Sequence, residues 1–368
     1  MAASSLTPGD VARWRMRTLG LVGPGFASAV DVVAQLGAAQ SQDLEVALWS
    51  IAQRVPGLTV ADVRHVLDGG ELLRTHVLRP TWHFVTPADI RWLLHLTGPR
   101  VHVQNGPYYR RFGLDDGALA RAHELIRAAL STGEHLTRAQ LAAHLAAGGI
   151  EAAGPALAHL IMHAELDALI CSGRAVGRRQ TYALLDERAP SSRDLGSDAA
   201  LVELTRRYFT GHGPATVRDF RWWSSLTMEQ IRAGLDVVGS ELHGETVDGR
   251  TYLASTPPGG PSTSADPVVH LIQSLDEFVV GYQETRDVID LTGADAAHGL
   301  TPGLPSALVV LDGQIAGRWR RTIRATEVEV DVVAYRPFDD VEMQALRAES
   351  ARHAAALDRE AALTISTL

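Results

Sequence analysis

The chain has 368 residues, 46% hydrophobic and 21% charged, the balance of an ordinary soluble protein with room for two or three domains of roughly 100–200 residues each. Its 43 acidic residues outnumber the 34 basic ones for a net charge of −9, so the molecule as a whole repels nucleic acid and anionic membranes, and any contact with DNA has to be local. Every basic residue is arginine and Cys171 is the lone cysteine, which excludes Schiff-base catalysis by a lysine, an intrachain disulfide and a cysteine-based zinc site.

Met1 to Asp10 carries no basic stretch followed by an apolar run, and no later run reaches the ~18 apolar residues of a membrane span. A cytoplasmic protein is expected. The first hundred residues read as helices at Pro8 to Leu19, Ala29 to Leu36, Leu44 to Arg54 and Val60 to Leu67, then strands at Leu73 to Leu78 and Thr81 to Val85. Gly23-Pro24-Gly25 is a turn, since it has neither the preceding strand nor the lysine of a phosphate loop. Gln40-Ser41-Gln42-Asp43 lies between two of the helices, where Ser41 or Asp43 can cap the helix that follows. In an extended link, residues i and i+2 point the same way, so the carboxamides of Gln40 and Gln42 are expected to project together. Such a pair accepts no proton as a general base does, but it can orient a water molecule and an electron-poor sugar. Solvated loop glutamines are the alternative.

A second segment repeats the order of helices then hairpin: Gly117 to Leu130, a short helix opened by Leu136-Thr137, a third from Gly154-Pro155 to Leu169, and strands at Ala168 to Cys171 and Thr181 to Leu185. His159 and His163 sit four apart on one helical face, the spacing of some metal sites, but the glutamate of a zincin motif is missing and they read as structural histidines. The third segment has helices at Asp198 to Thr210, Thr216 to Ser224 and Thr227 to Val238, and a hairpin from Glu241 to Ala254 pinned by Asp248-Gly249. Thr256 to Asp266 reads as a loop rich in Pro, Gly, Ser and Thr. Beyond it come strands at Ala307 to Leu311, Gln314 to Ile323 and Glu327 to Val333, with a last helix from Asp339 to Leu357.

Helices followed by a β-ribbon form the winged-helix pattern. The expected fold is therefore α+β: three tandem winged helices over 1–110, 111–195 and 196–256, and a β-rich C-terminal domain with a terminal helix over 257–368. Wings and hairpins reach DNA grooves and phosphates, which singles out Arg174, Arg178 and Arg179 in the second wing and Arg318, Arg320 and Arg321 around Trp319. Cross-strand pairing with Glu327, Glu329 and Asp331 is the competing use of the latter group. Trp222 and Trp223 read as core residues, whereas Trp82 and His83 can either stack on a base or pack.

Leu36-Gly37-Ala38-Ala39-Gln40-Ser41-Gln42-Asp43, Leu78-Arg79-Pro80-Thr81-Trp82-His83-Phe84-Val85, and Gly213-Pro214-Ala215-Thr216 with Asp219, Trp223 and Ser224 together resemble the AlkZ-type bacterial DNA glycosylases. Leu275-Asp276-Glu277-Phe278 through Tyr282, and Asp312-Gly313 with Gly317 through Arg321, extend the match over nearly the whole chain. The resemblance implies a C-shaped protein that holds duplex DNA in its concave channel and hydrolyses the N-glycosidic bond of alkylated purines, including bulky adducts and, in some members, interstrand crosslinks. The family's catalytic motif, Gln, an aliphatic residue, then Gln or Asp, maps onto Gln40, Ser41 and Gln42. Gln42 is similar to the AlkZ branch, and Ser41 departs from the aliphatic pattern. Alkylation at N7 or N3 makes the purine a cationic leaving group, so two neutral carboxamides suffice where a strong acid is otherwise needed.

The expectation is a monofunctional glycosylase without lyase activity, acting in DNA repair or self-resistance, a monomer on double-stranded DNA needing no metal or cofactor. Gln40 and Gln42 are its catalytic residues, and Trp82, His83, Arg178, Arg179, Arg318, Arg320 and Arg321 its DNA contacts. The alternative is a non-enzymatic winged-helix transcription regulator, which normally dimerises on an intact operator.

Overall fold

The computed structural model describes residues 6–258, 266–298 and 307–368. Most of the loop expected at Thr256 to Asp266 lies outside them. The fold is mixed α+β, with 15 α-helices among the described residues, none of them long and apolar enough to cross a membrane.

Local chemistry sets the first helices. Thr7 and Thr59 cap Pro8–Thr18 and Val60–Gly69 in capping boxes completed by Asp10 and Asp62, each satisfying orphan N–H groups of the first turn. Ser28 caps Ala29–Leu36 and Asp43 caps Leu44–Ala52. Three short strands form a sheet in which Trp82–Val85 lies between Ala39–Gln40 and Leu73–His76, so Gln40 pairs directly with His83.

The helix Ile90–Arg111 is absent from the sequence reading, because Pro99 and Pro107 fall inside it and an interior proline costs a helix about 3 kcal/mol. Both prolines are exposed, while Trp92, Leu93, Leu94 and Val101 on other faces are fully buried. Gly98 permits the close approach: a Cβ there would lie 2.9 Å from the carbonyl oxygen of Leu166, at the end of the helix Gly154–Leu166. Leu136-Thr137, expected to open a helix, is instead a two-residue strand beside Thr181–Leu184, and the helix Arg138–Ala147 starts after it with Thr137 as its cap.

In the third segment the hairpin His243–Val247/Arg250–Ala254 turns at Asp248-Gly249, where φ is 47° and 73°, the left-handed pair that a type I′ turn requires. Asp312-Gly313 repeats the device in the C-terminal sheet. That sheet has two strands the sequence did not show, Val269–Ile272 at one edge and Glu360–Thr367 at the other. The latter runs parallel to Glu327–Ala334 after the crossover helix Asp340–Ala355, as parallel pairing demands. One core joins the first and third segments to residues around Ile272–Ile289. The middle segment and the C-terminal sheet have cores of their own.

An ion pair ties the C-terminal segment into the first. Arg54, 1% exposed, grips both oxygens of fully buried Asp276 at 2.8 and 2.7 Å, and Asp276 caps the one-turn helix Glu277–Val280. Breaking a buried pair on one side strands the other charge. Arg54→Met is therefore predicted to lower the unfolding free energy by about 3–5 kcal/mol in urea denaturation. A loss below about 1 kcal/mol, the range of exposed pairs, would show that the pair does not anchor this helix.

Candidate active site and DNA-facing cleft

Gln40 ends its short strand with its side chain 7% exposed, on the wall of an open cleft of 1630 Å³. Its backbone N–H donates to Glu277 Oε1 at 2.7 Å. Glu277 Oε2 accepts from Trp223 Nε1 at 2.9 Å and from His212 Nε2 at 3.0 Å. Burial pushes this carboxyl upward, but the His212 hydrogen bond and the pull of His212, His83 and Arg79 prevail and hold it at about 2. All its oxygens are engaged, so Glu277 is a poor proton acceptor. By contrast, the carboxamide oxygen of Gln40 is buried with no hydrogen-bond donor among the described residues. A buried orphan acceptor calls for an explanation, and a bound ligand or water supplies one.

Arg74 braces the rest of the motif. Buried, with its guanidinium held down to about 10 by that burial, it donates to the carbonyls of Ser41 at 2.8 Å and Gln42 at 3.2 Å and to the Gln180 carboxamide. Ser41 is fully buried with its hydroxyl unbonded, as befits a position where the resembling family carries an aliphatic side chain. The two glutamines are not brought together on the cleft. Gln42 is exposed and is not among the cleft-lining residues; its carboxamide oxygen accepts from Trp82 N at 3.1 Å.

Arg79 lies beside Gln40 on the cleft. It follows Leu78, whose φ of 64° is strained for a leucine by about 1–3 kcal/mol and is held by complete burial and a 3.1 Å bond from its N–H to Thr97 Oγ1. Arg79 Nε and Nη2 are buried without acceptors among the described residues, and burial lowers its affinity for the proton. Its guanidinium carbon is 5.7 Å from the Trp222 ring centre. Trp222, read from sequence as core, is 40% exposed and lines the cleft, while Trp223 is indeed buried.

Other expected DNA contacts occupy varied places. His83 is fully buried, its Nδ1–H donating to Thr81 O at 2.9 Å, and burial followed by Arg79 depresses it to about 3, so it is neutral. Nothing of it reaches the surface. Trp82 is half-buried, its ring centre 4.0 Å from that of His76 at a tilt of 43° and the Arg74 guanidinium 4.2 Å over its ring. Arg178 and Arg179 are exposed in the turn between the strands Ile170–Ser172 and Thr181–Leu184, Arg178 at 82% with Glu45 3.7 Å away. Arg318 lines the cleft but is bound to Asp295 and to the Tyr335 hydroxyl. Arg320 pairs with the cross-strand Asp331 at 3.1 Å, and Arg321 bonds His353 Nε2 and the Glu45 carbonyl.

The sequence reading missed five cleft arginines: Arg79, Arg100, Arg218, Arg221 and Arg286. Arg218 pairs with Glu284 at 2.7 Å. Arg100 and Arg221 are exposed and, among the described residues, pair with no carboxylate. Glu277 and Arg79 stand inside the motifs that carry the family resemblance, which was the available signal. The arginines of the cleft come from separate segments and have no local pattern.

A family model for "DNA glycosylase AlkZ-like" proteins matches residues 33–356. The "Interstrand DNA cross-link repair glycosylase" of Streptomyces sahachiroi is 24% identical over 356 residues, 92% of each chain. The solved structure of Streptomyces sahachiroi DNA glycosylase AlkZ superposes with a TM-score of 0.81 at 22% identity, over 99% of this chain and 100% of that one.

The low pKa of Glu277 carries a pH signature. A carboxyl whose folded pKa lies below its unfolded value of 4.5 contributes stability above that value and loses it as pH falls toward about 2. Urea denaturation is predicted to show wild-type protein losing more stability than Glu277→Gln between pH 4.5 and pH 2. Parallel losses in the two proteins would contradict the assignment of a charged Glu277.

Proposed function

The chain belongs to the AlkZ-like DNA glycosylase family, and we propose that it hydrolyses the N-glycosidic bond of N7- or N3-alkylated purines in duplex DNA, leaving the strand uncut. The observation that carries this reading is the Gln40 carboxamide oxygen, buried without a donor on the wall of a cleft that also presents six arginines. We further infer three tandem winged helices over 1–110, 111–195 and 196–256 and a β-rich domain over 257–368, arranged in a C around the duplex, with the protein working as a monomer.

As the glycosidic bond breaks, positive charge builds on the sugar, and the cationic purine leaves without needing a proton. A preorganised neutral acceptor stabilises that charge and orients the attacking water. Gln40 is this acceptor. Glu277 acts as a positioning residue, since both its oxygens already accept from the Gln40 backbone, His212 and Trp223 and its low pKa makes it a weak base. Gln42 keeps the motif in register through Trp82 N. So mild a catalyst leaves neutral, undamaged bases in place, which gives selectivity for alkylated ones. The openness of the cleft suits bulky adducts, and crosslinks share the same leaving-group chemistry. The cleft arginines bind phosphate locally in spite of the net charge of −9, with Arg100 and Arg221 the least encumbered and Arg178 and Arg179 joining from the second wing.

Gln40→Ala is predicted to slow single-turnover release of N7-methylguanine from duplex oligonucleotide at least ~10-fold, with affinity for the lesion DNA little changed; wild-type rates in the variant would refute the site. The product strand should break only on heating or alkali, and borohydride should trap no covalent adduct, whereas trapping would reveal lyase chemistry. In a salt titration, Arg221→Ala should flatten the log–log slope of DNA affinity by about one. An unaltered slope would remove Arg221 from the interface.

A further inference from the structure

Outside the cleft, three imidazoles from three helices converge on one carboxylate. His102 comes from Ile90–Arg111, His123 from Asp116–Leu130 and His163 from Gly154–Leu166, and Asp167 follows directly. His102 Nε2 lies 2.9 Å from Asp167 Oδ1. His163 Nδ1 lies 3.4 Å from Asp167 Oδ2 and 3.1 Å from His123 Nε2. One ligand atom each from His102, His163 and Asp167 fall within 4.8 Å of one another. Tetrahedral zinc, with bonds of about 2.0–2.1 Å, sets its ligand atoms about 3.3 Å apart, close to these separations.

We propose that His102, His163 and Asp167 bind one zinc ion that clamps the long helix Ile90–Arg111 to the helix Gly154–Leu166 beside it. Three protein ligands leave the fourth position of a tetrahedral ion to a water molecule. The surroundings fit. The Tyr109 hydroxyl lies 3.0 Å from His102 Nδ1, which fixes that ring and leaves Nε2 on the ligand side, the outer-shell arrangement usual for a metal-bound histidine. A cavity of 580 Å³ lined by His95, His102, His123, Asp167 and the cationic Arg127 opens onto the site.

The site departs from the expectation of a metal-free protein. It also re-partners His163, since His159 stacks on Tyr108 at 4.7 Å instead. None of the three ligands lines the Gln40 cleft, yet the helix that carries His102 supplies Arg100 and Gln104 to its wall. The clamp therefore steadies a DNA-facing element without entering the reaction.

The test uses the full chain without a histidine tag, stripped with chelator and titrated with zinc chloride by calorimetry and by thermal melting. One zinc per chain should bind and raise the melting temperature, reversibly on chelation. His102→Gln and Asp167→Asn should each weaken binding at least ~10-fold, and Tyr109→Phe, which touches no metal, should weaken it by about 10-fold. Absence of stoichiometric binding by the wild-type chain with an unmoved melting temperature would overturn the proposal. So would zinc bound with equal affinity by wild type, His102→Gln and Asp167→Asn.

Discussion

The Glu277 carboxylate is the point on which the site depends. From the head of a one-turn helix in the C-terminal segment, it accepts from the backbone of Gln40, 237 residues earlier, and from Trp223 and His212 in the third segment. A charge so deeply buried is tolerated only when its lone pairs are filled with good geometry. Moving any of the three segments would leave it short of a donor, so one carboxylate fixes their mutual placement. Beneath it, Asp276 meets Arg54 and sets where the short helix begins. The constraint runs from a buried ion pair to a capped helix, to a carboxylate, to the residue that faces the cleft.

The same economy supports the proposal that a neutral side chain carries the chemistry. Both carboxylate oxygens of Glu277 accept hydrogen bonds within the fold, while the Gln40 carboxamide oxygen has no donor among the described residues. Strain at Leu78 and the burial of Arg79 lie directly alongside, the expected place for unfavourable local terms to be held by a well-determined surround. Acidic residues dominate the chain overall, yet the cleft carries six arginines against Glu284, Asp287, Asp290 and Asp295. Local charge, and not the net charge of −9, governs what the cleft attracts.

What the sequence made legible was local. Asp248-Gly249 and Asp312-Gly313 announced their turns because few other pairs adopt left-handed backbone at both positions, and Asp43, one of the two caps weighed for the helix after the Gln40 motif, does cap Leu44–Ala52. The helix Ile90–Arg111 was hidden by two prolines whose effect is offset by burial on its other faces. The strand Glu360–Thr367 finds its partner only through a parallel crossover. Within the site, Gln40 and its motif were visible, but the role of Glu277 depends on contacts spanning hundreds of residues. His163 was noticed for its spacing from His159, whereas packing gives it His102, His123 and Asp167. Helical spacing reports neighbours on one helix and is blind to those on the next.

The central claim is that Glu277 acts on catalysis through Gln40 alone. A double-mutant cycle in single-turnover base excision, comparing Glu277→Gln, Gln40→Ala and the double variant against wild type, isolates that coupling. With Gln40 acting as the sole effector, the double variant should excise at the rate of Gln40→Ala, because a carboxylate that only positions a side chain has nothing left to position once that side chain is gone. Losses that multiply in the double variant, as independent contributions do, would contradict the account and assign Glu277 a role of its own at the reacting sugar.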